Sequence, residues 1–117
     1  LICATSSTTP VFEPAWLHPQ MHINTIGPKT GTASEISPLV ARKSQVIVTD
    51  SIAQVDAFSE GYFVSDRRDR DRMVELSDII VGRKPGRTSP ADITLFCSVG
   101  LAGTEIVLAN EALRLAD

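Results

Sequence analysis

The stretch Gln45-Val46-Ile47-Val48-Thr49 decides the fold. Three consecutive β-branched apolar residues without polar alternation describe a strand covered on both faces, the pattern of a parallel sheet. Working outward, similar runs occupy 1–5 (Leu-Ile-Cys-Ala-Thr) and 21–26 (Met-His-Ile-Asn-Thr-Ile). The starts lie about 20–24 residues apart, enough for strand, crossover helix and parallel strand. Pro10, Pro14 and Pro19 restrict the first crossover to a short helix over 13–17, with Pro14 tolerated in its first turn. The second crossover reads as a helix over 36–42, capped by Ser34 or Ser37 and carrying Pro38 at its first position. Asp50 or Ser51 caps a third helix that runs to Phe58. The expected class is a parallel α/β unit.

Beyond Gly61 the pattern changes. Asp66-Arg67-Arg68-Asp69-Arg70-Asp71-Arg72 reads as a solvated helix start with internal ion pairs. Met73, Leu76 and Ile80 then recur at helical spacing, which predicts an amphipathic helix over 70–81 stopped by Gly82. A basic, turn-rich loop follows at 83–90, then an apolar run at 93–97 that ends in Ser98-Val99-Gly100. In the last predicted helix, 104–116, the residues Ile106, Val107, Leu108, Leu113 and Leu115 cover too much of the circumference for a lone surface helix. It is expected to bury against a second domain or subunit.

The chain has 117 residues, 43% hydrophobic and 21% charged, a composition that suits one small globular domain. A formal charge of −3 argues against a general nucleic-acid binder. No apolar run approaches the roughly 18–20 residues that span a bilayer, and no basic segment leads an apolar stretch as in a signal peptide. Cys3 and Cys97 are too few for a disulfide framework and have no metal-ligand spacing, so a reducing, cytoplasmic setting is expected. A chain that opens inside an apolar strand is expected to be the C-terminal portion of a longer protein.

Ligands of parallel α/β sheets bind outside the carboxyl ends of the strands. Two of those ends are small and polar: Thr5-Ser6-Ser7-Thr8-Thr9 after the first strand and Gly27-Pro28-Lys29-Thr30-Gly31-Thr32 after the second. Their hydroxyls and open N–H groups could rim a polar ligand; the same residues are also simply good loop formers. No Gly-x-Gly-x-x-Gly occurs, so a complete dinucleotide site is not encoded here. His18, beside Pro19, reads as solvent-exposed; His22 opens the second strand at the end opposite the presumed ligand edge. Both are read as structural. Trp16, Leu17 and Phe12 are expected to pack the first crossover on the sheet. Glu35 is read as a helix-start or capping residue.

Four segments together resemble the ornithine cyclodeaminase/mu-crystallin family. They are Cys-Ala-Thr-Ser-Ser-Thr-Thr-Pro-Val-Phe at 3–12, His-Ile-Asn-Thr-Ile-Gly at 22–27, Val-Thr-Asp-Ser at 48–51, and the most specific, Gly-Arg-Lys-Pro-Gly-Arg-Thr-Ser-Pro-Ala-Asp-Ile-Thr-Leu-Phe-Cys-Ser-Val-Gly-Leu-Ala at 82–102. The resemblance implies a homodimeric, NAD(P)-dependent enzyme of amino or imino acids with a Rossmann-type cofactor domain and a dimerisation and substrate domain. By that resemblance, 1–90 is the second half of the cofactor domain and 91–117 the segment returning to the other domain. It places Cys3, Ala4 and Thr5 at the strand end beside the cofactor, and Ile26, Gly27, Pro28 and Lys29 on the loop next to the nicotinamide. Ser98 approaches from the returning segment, and Val99 lies near the substrate. No catalytic residue is assigned.

The departures from the family carry information. Where cyclodeaminases have an Asp that acts on the substrate amine or attacking water, this chain has Lys29. Lysine cannot take a carboxylate's role unless its own pKa falls. That favours imine reduction by hydride transfer over ornithine cyclisation with ammonia loss. A non-catalytic, crystallin-like NADP or small-ligand binder is the other alternative. Cys97 stands where Lys is usual and is read as a buried small hydrophobe. Glu105 stands where Asp is usual, and Ser77-Asp78 where Gly-Glu is usual.

Overall fold

The computed structural model describes residues 1–116. The apolar run at 46–48 becomes β3 (Val46–Thr49), with Ile47 fully buried and Val48 nearly so. Its partners are β4 (Met73–Glu75) on one side and β5 (Thr94–Cys97) on the other. Beyond β5 lie β2 (His22–Thr25) and β1 (Ile2–Cys3), all parallel, giving the order β1-β2-β5-β3-β4. The central strand is therefore the last in sequence. β5, from the segment after residue 90, thus forms the middle of the sheet.

Register decides which face holds the core. Leu95 stands opposite both Ile23 and Ile47, and all three are completely buried. Cys3, Thr25, Thr49 and Cys97 share that face by the two-residue period of a strand. It is covered by Val40 and Ala41 of α1 (Pro38–Lys43), Val55 of α2 (Ile52–Asp56), Phe12, and the segment 62–64. Of the two serines that could cap α1, Ser37 accepts from the Leu39 N–H at 3.2 Å, with Pro38 at the first position. Ser51, not Asp50, caps α2.

The first crossover contains only a three-residue 3-10 turn, Pro14–Trp16. Phe12 is buried and Leu17 packs partly on the core, as expected, but Trp16 is 66% exposed and does not pack the crossover on the sheet.

The expected helix over 70–81 is replaced by α3 (Arg67–Arg70), β4 and α4 (Leu76–Ile80). Pairing with β3 sets Met73 opposite Ile47 and buries it, while Ile80 stays 74% exposed. The open edge of β3 outweighs a helical spacing of three apolar residues. The charged run also does more than solvate. Asp69 is buried between Arg42 and Arg72, 2.7 Å from each, and Arg70 reaches Asp56 at 2.6 Å. Burial pushes the Asp69 carboxyl up, but the two guanidinium hydrogen bonds outweigh this and hold it below the usual carboxylate range. The run thus ties α1, α2 and α3 together.

The basic loop at 83–90 is a strut. The Arg87 guanidinium donates to the carbonyls of Gln20 and Met21 at 3.2 Å, to the Asp92 carbonyl, and to Thr94 Oγ1. It fastens the amino ends of β2 and β5. His22 joins there through Nδ1 and Thr94 Oγ1 at 2.7 Å, and His18 is exposed, so both histidines lie away from the carboxyl ends. None of the residues of α5 (Ala102–Ala116) is buried by the described residues. No helix among the described residues is long and apolar enough to cross a membrane.

Candidate functional site

β2 and β5 are neighbours whose last residues, Thr25 and Cys97, stand in register. The loops that follow them, 26–30 and 98–100, face each other across a cleft of about 400 Å³, with Phe58 and Glu105 completing its wall. Each loop is shaped by one carboxylate.

Glu35 shapes the first. Its side chain is fully buried and accepts five hydrogen bonds. One oxygen takes the Thr25 hydroxyl at 2.6 Å and the N–H groups of Ile26 and Gly27 at 3.0 and 2.7 Å. The other takes the N–H and hydroxyl of Thr5 at 2.8 and 2.9 Å. Burial alone would raise its carboxyl, but the hydrogen bonds from Thr25, Thr5 and Gly27 outweigh burial and hold it below its ordinary value. Glu35 therefore binds the ends of β1 and β2 together. A capping role underestimates it, because α1 is capped by Ser37.

Gly27 packs tightly against the end of β1 and against Glu35. A Cβ there would lie 2.3 Å from the Thr5 carbonyl oxygen and 2.4 Å from Glu35 Oε2, so only glycine fits. Lys29 is buried, and its ammonium donates to the Gly27 carbonyl. Burial lowers its pKa, against the opposing fields of the Cys97 thiol and the Glu35 and Asp50 carboxylates.

Asp50 shapes the second loop. It accepts from Ser98 Oγ at 3.0 Å and from the N–H groups of Val99 and Gly100 at 2.8 and 3.0 Å. Gly100 turns the chain at φ +79°, a conformation that favours glycine. Read as a possible cap, Asp50 is instead the anchor of the 98–100 turn. Cys97 lies beneath both loops, completely buried, with its thiol pushed up to about 12 by burial. It is a neutral core side chain, as its sequence position suggested. The buried Tyr62 hydroxyl lies beside it.

The structure brings Ile26, Gly27, Pro28, Lys29, Ser98 and Val99 to one cleft. Cys3, Ala4 and Thr5 do not line it. Cys3 faces the core, and burial raises its thiol pKa. Cys3 and Thr5 border a separate cavity of about 280 Å³ beside Phe12 and Trp16, while Ala4 is exposed. Thr5 still reaches the cleft, through Glu35. The Ser7 hydroxyl bonds within its own loop, its Oγ donating to the Thr9 carbonyl at 2.7 Å. Thr30, part of the small, polar strand end, also lines the cleft, and Phe58 is a lining residue that spacing did not reveal.

The cleft offers an apolar wall from Ile26, Pro28 and Val99, the hydroxyl-bearing side chains of Ser98 and Thr30, and backbone. It pairs no nucleophile with a base. Such a site can hold and orient a flat ligand, and its chemistry is positioning. Among the described residues no group of His, Cys, Asp and Glu could hold a metal ion.

Three similarities complete the picture. The chain is 32% identical over 118 residues to a Delta(1)-pyrroline-2-carboxylate reductase of Bacillus cereus, covering 94% of this chain and 35% of that protein. Its fold is similar to a probable ornithine cyclodeaminase from Bordetella pertussis, at TM-score 0.80 and 29% identity over 97% of this chain and 37% of the other. It is also similar to the Delta(1)-pyrroline-2-carboxylate reductase of Thermococcus litoralis, solved with NADH and L-proline, at TM-score 0.74 and 30% identity over 98% of this chain and 38% of the other. The chain thus spans little more than a third of the length of these relatives. The family's sequence profile matches residues 1–112, taking in both loops of the cleft and the carboxylates that shape them. The chain belongs to the ornithine cyclodeaminase/mu-crystallin family.

Proposed function

We propose that this chain forms one wall of a nicotinamide and substrate pocket in an NAD(P)-dependent enzyme that reduces a small imino acid to the amino acid. The supporting observation is the cleft between loops 26–30 and 98–100, at the carboxyl ends of adjacent parallel strands, where such sheets bind ligands. The shape of the first loop rests on Gly27, whose missing Cβ lets the backbone lie against the Thr5 carbonyl and Glu35. When bound, the cofactor supplies the hydride.

The protein's part is orientation. Ile26 and Pro28 form one apolar wall and Val99 the other, with Val99 also facing the substrate. Ser98 Oγ, fixed by donating to Asp50, would keep its lone pairs available to accept from the cofactor's carboxamide. Glu35 and Asp50 keep the two walls apart by holding backbone N–H groups rather than touching the ligand. Excluding water from such a cleft protects an imine from hydrolysis. The complete protein is read as a cytoplasmic homodimer, with α5 leaving the sheet toward a partner domain or subunit.

Lys29 favours reduction over ornithine cyclisation. A buried ammonium bonded to the Gly27 carbonyl is not a base for an amine or a water. The test incubates the protein that carries this chain with NADH or NADPH and a cyclic imine carboxylate, and separately with NAD and ornithine. Imine-dependent loss of reduced-nicotinamide absorbance is expected, without ammonia from ornithine. Ammonia and proline from ornithine would overturn the choice of reaction, and absence of binding by either nucleotide would overturn the reading as a whole.

A further inference from the structure

Two buried charges of opposite sign act on the two peptide groups that flank the Gly27 Cα. The Glu35 carboxylate accepts from the Gly27 N–H at 2.7 Å, and the Lys29 ammonium donates to the Gly27 carbonyl. Lys29 is 4% exposed and Glu35 completely buried. A buried ammonium costs several kcal/mol of desolvation unless it is paired and hydrogen-bonded. The hydrogen bond to the Gly27 carbonyl and the fields of Glu35 and Asp50 offset part of that cost, and both carboxylates are themselves fixed by backbone donors. The two carboxylates anchor the two loops of the cleft, and the ammonium feels the fields of both.

We propose that Lys29 is a positioning residue: its ammonium holds the Gly27–Pro28 carbonyl while Glu35 holds the Ile26–Gly27 N–H, and this clamp across Gly27 fixes the loop that faces the ligand. The inference rests on the nicotinamide reading for its catalytic consequence, but the clamp itself does not. It assigns a role to the cation that stands where cyclodeaminases have an acid. Lys29 touches neither substrate nor cofactor in this role, and it acts through the Gly27 backbone. The groups facing it are the Glu35 and Asp50 carboxylates, the Cys97 thiol and, beyond that thiol, the Tyr62 hydroxyl.

The experiment compares the wild-type protein that carries this chain with K29R, K29M, E35Q and K29M/E35Q. Hydrogen exchange at the Ile26 and Gly27 amides reads the clamp without any ligand. Their exchange is expected to rise at least about tenfold in K29M and to recover in K29R, which keeps the charge. NADH affinity and imine turnover read the consequence. Both should fall in K29M, while affinity for ADP-ribose, which lacks the nicotinamide, stays at the wild-type value. The K29M/E35Q loss should be smaller than the product of the two single losses, because the double variant leaves neither charge unpaired. Lowering the pH through the depressed Lys29 pKa should strengthen NADH binding in wild type as the ammonium forms, and K29R should be insensitive over the same range.

Unchanged amide exchange in K29M overturns the clamp. A parallel loss of ADP-ribose affinity in K29M, or K29R behaving like K29M, overturns it as well. A wild type that binds no nucleotide while K29M still loosens Gly27 would sustain the clamp and defeat the pocket reading, so the two can fail separately.

Discussion

The two ends of the sheet are built on opposite principles. At the amino ends, one guanidinium, Arg87, gathers carbonyl oxygens from Gln20, Met21 and Asp92. At the carboxyl ends, two carboxylates, Glu35 and Asp50, gather backbone N–H groups from Thr5, Ile26, Gly27, Val99 and Gly100. Parallel strands impose this difference, since every strand starts at one end and finishes at the other. Arg87 closes its end over the strand starts. The carboxylates instead hold two loops upright on either side of an opening. The same device, one charge satisfying several backbone groups, gives a lid in one place and a cleft in the other.

The strongest challenge to that comparison is Gly27→Val. The new side chain must displace the Thr5 carbonyl or the Glu35 carboxylate, each within 2.4 Å of the added Cβ. Overpacking of this kind costs about 1–3 kcal/mol. Urea unfolding should register that loss, and fluorescence titration should show NADH affinity falling with it. Unchanged affinity would separate Gly27 from the ligand.

Glu35→Gln is expected to be next. A buried carboxylate with five donors is exchanged for an amide that offers one oxygen, at a cost of about 2–3 kcal/mol. The wild-type pH dependence has a definite sign. The folded-state carboxyl titrates below 4.5, so its stabilisation is fully present above that value and is lost as pH falls through the folded pKa. The acid limb of a stability-against-pH curve should therefore be shallower in E35Q. Equal limbs would mean that Glu35 carries no such linkage.

Arg87→Met sharpens the contrast from the other end. Losing this strut should cost about 1–2 kcal/mol, yet NADH affinity should match wild type, because no residue of the cleft bonds to Arg87. Affinity that falls in step with stability would show that the two ends are not independent.

These expectations differ in how far they could be read from residues alone. Val46-Ile47-Val48 announced a buried parallel strand because continuous β-branched apolar residues have few other places to go. Ser37-Pro38 announced a helix start for equally local reasons. Met73-Val74-Glu75 could not be read that way, since its strand state exists only because β3 offers an unpaired edge. The loops 26–30 and 98–100 were visible as small, polar strand ends. Glu35 and Asp50 were visible only as acids near helix starts, because their partners are backbone N–H groups, which every residue carries and no spacing reveals. A buried acid with no basic residue three or four positions away, preceded by a strand end rich in Gly and Thr, is the signal that could have marked Glu35. Cys3 and Ala4 show the converse. They stand at the right strand end, but strand alternation turns Cys3 into the core, and β1 is separated from the cleft by β2.

The smallest effect is expected from Arg83→Ala, and it isolates why the charges at the carboxyl ends matter. Arg83 meets Asp78 at 2.7 Å, the same separation as Arg42 from Asp69. Distance alone would rank the two pairs as equals. The Arg83 side chain is 64% exposed, however, while that of Asp69 is 5% exposed. Water screens the first pair and leaves it worth no more than about 0.5 kcal/mol, whereas Asp69 without its arginines would be a buried, uncompensated charge. Urea unfolding of R83A should coincide with wild type within that margin, and D69N should not. A loss in R83A as large as in D69N would show that contact distance, and not removal from water, sets the strength of a charged group in this fold; Glu35 and Asp50 would then have no special claim on the loops they hold.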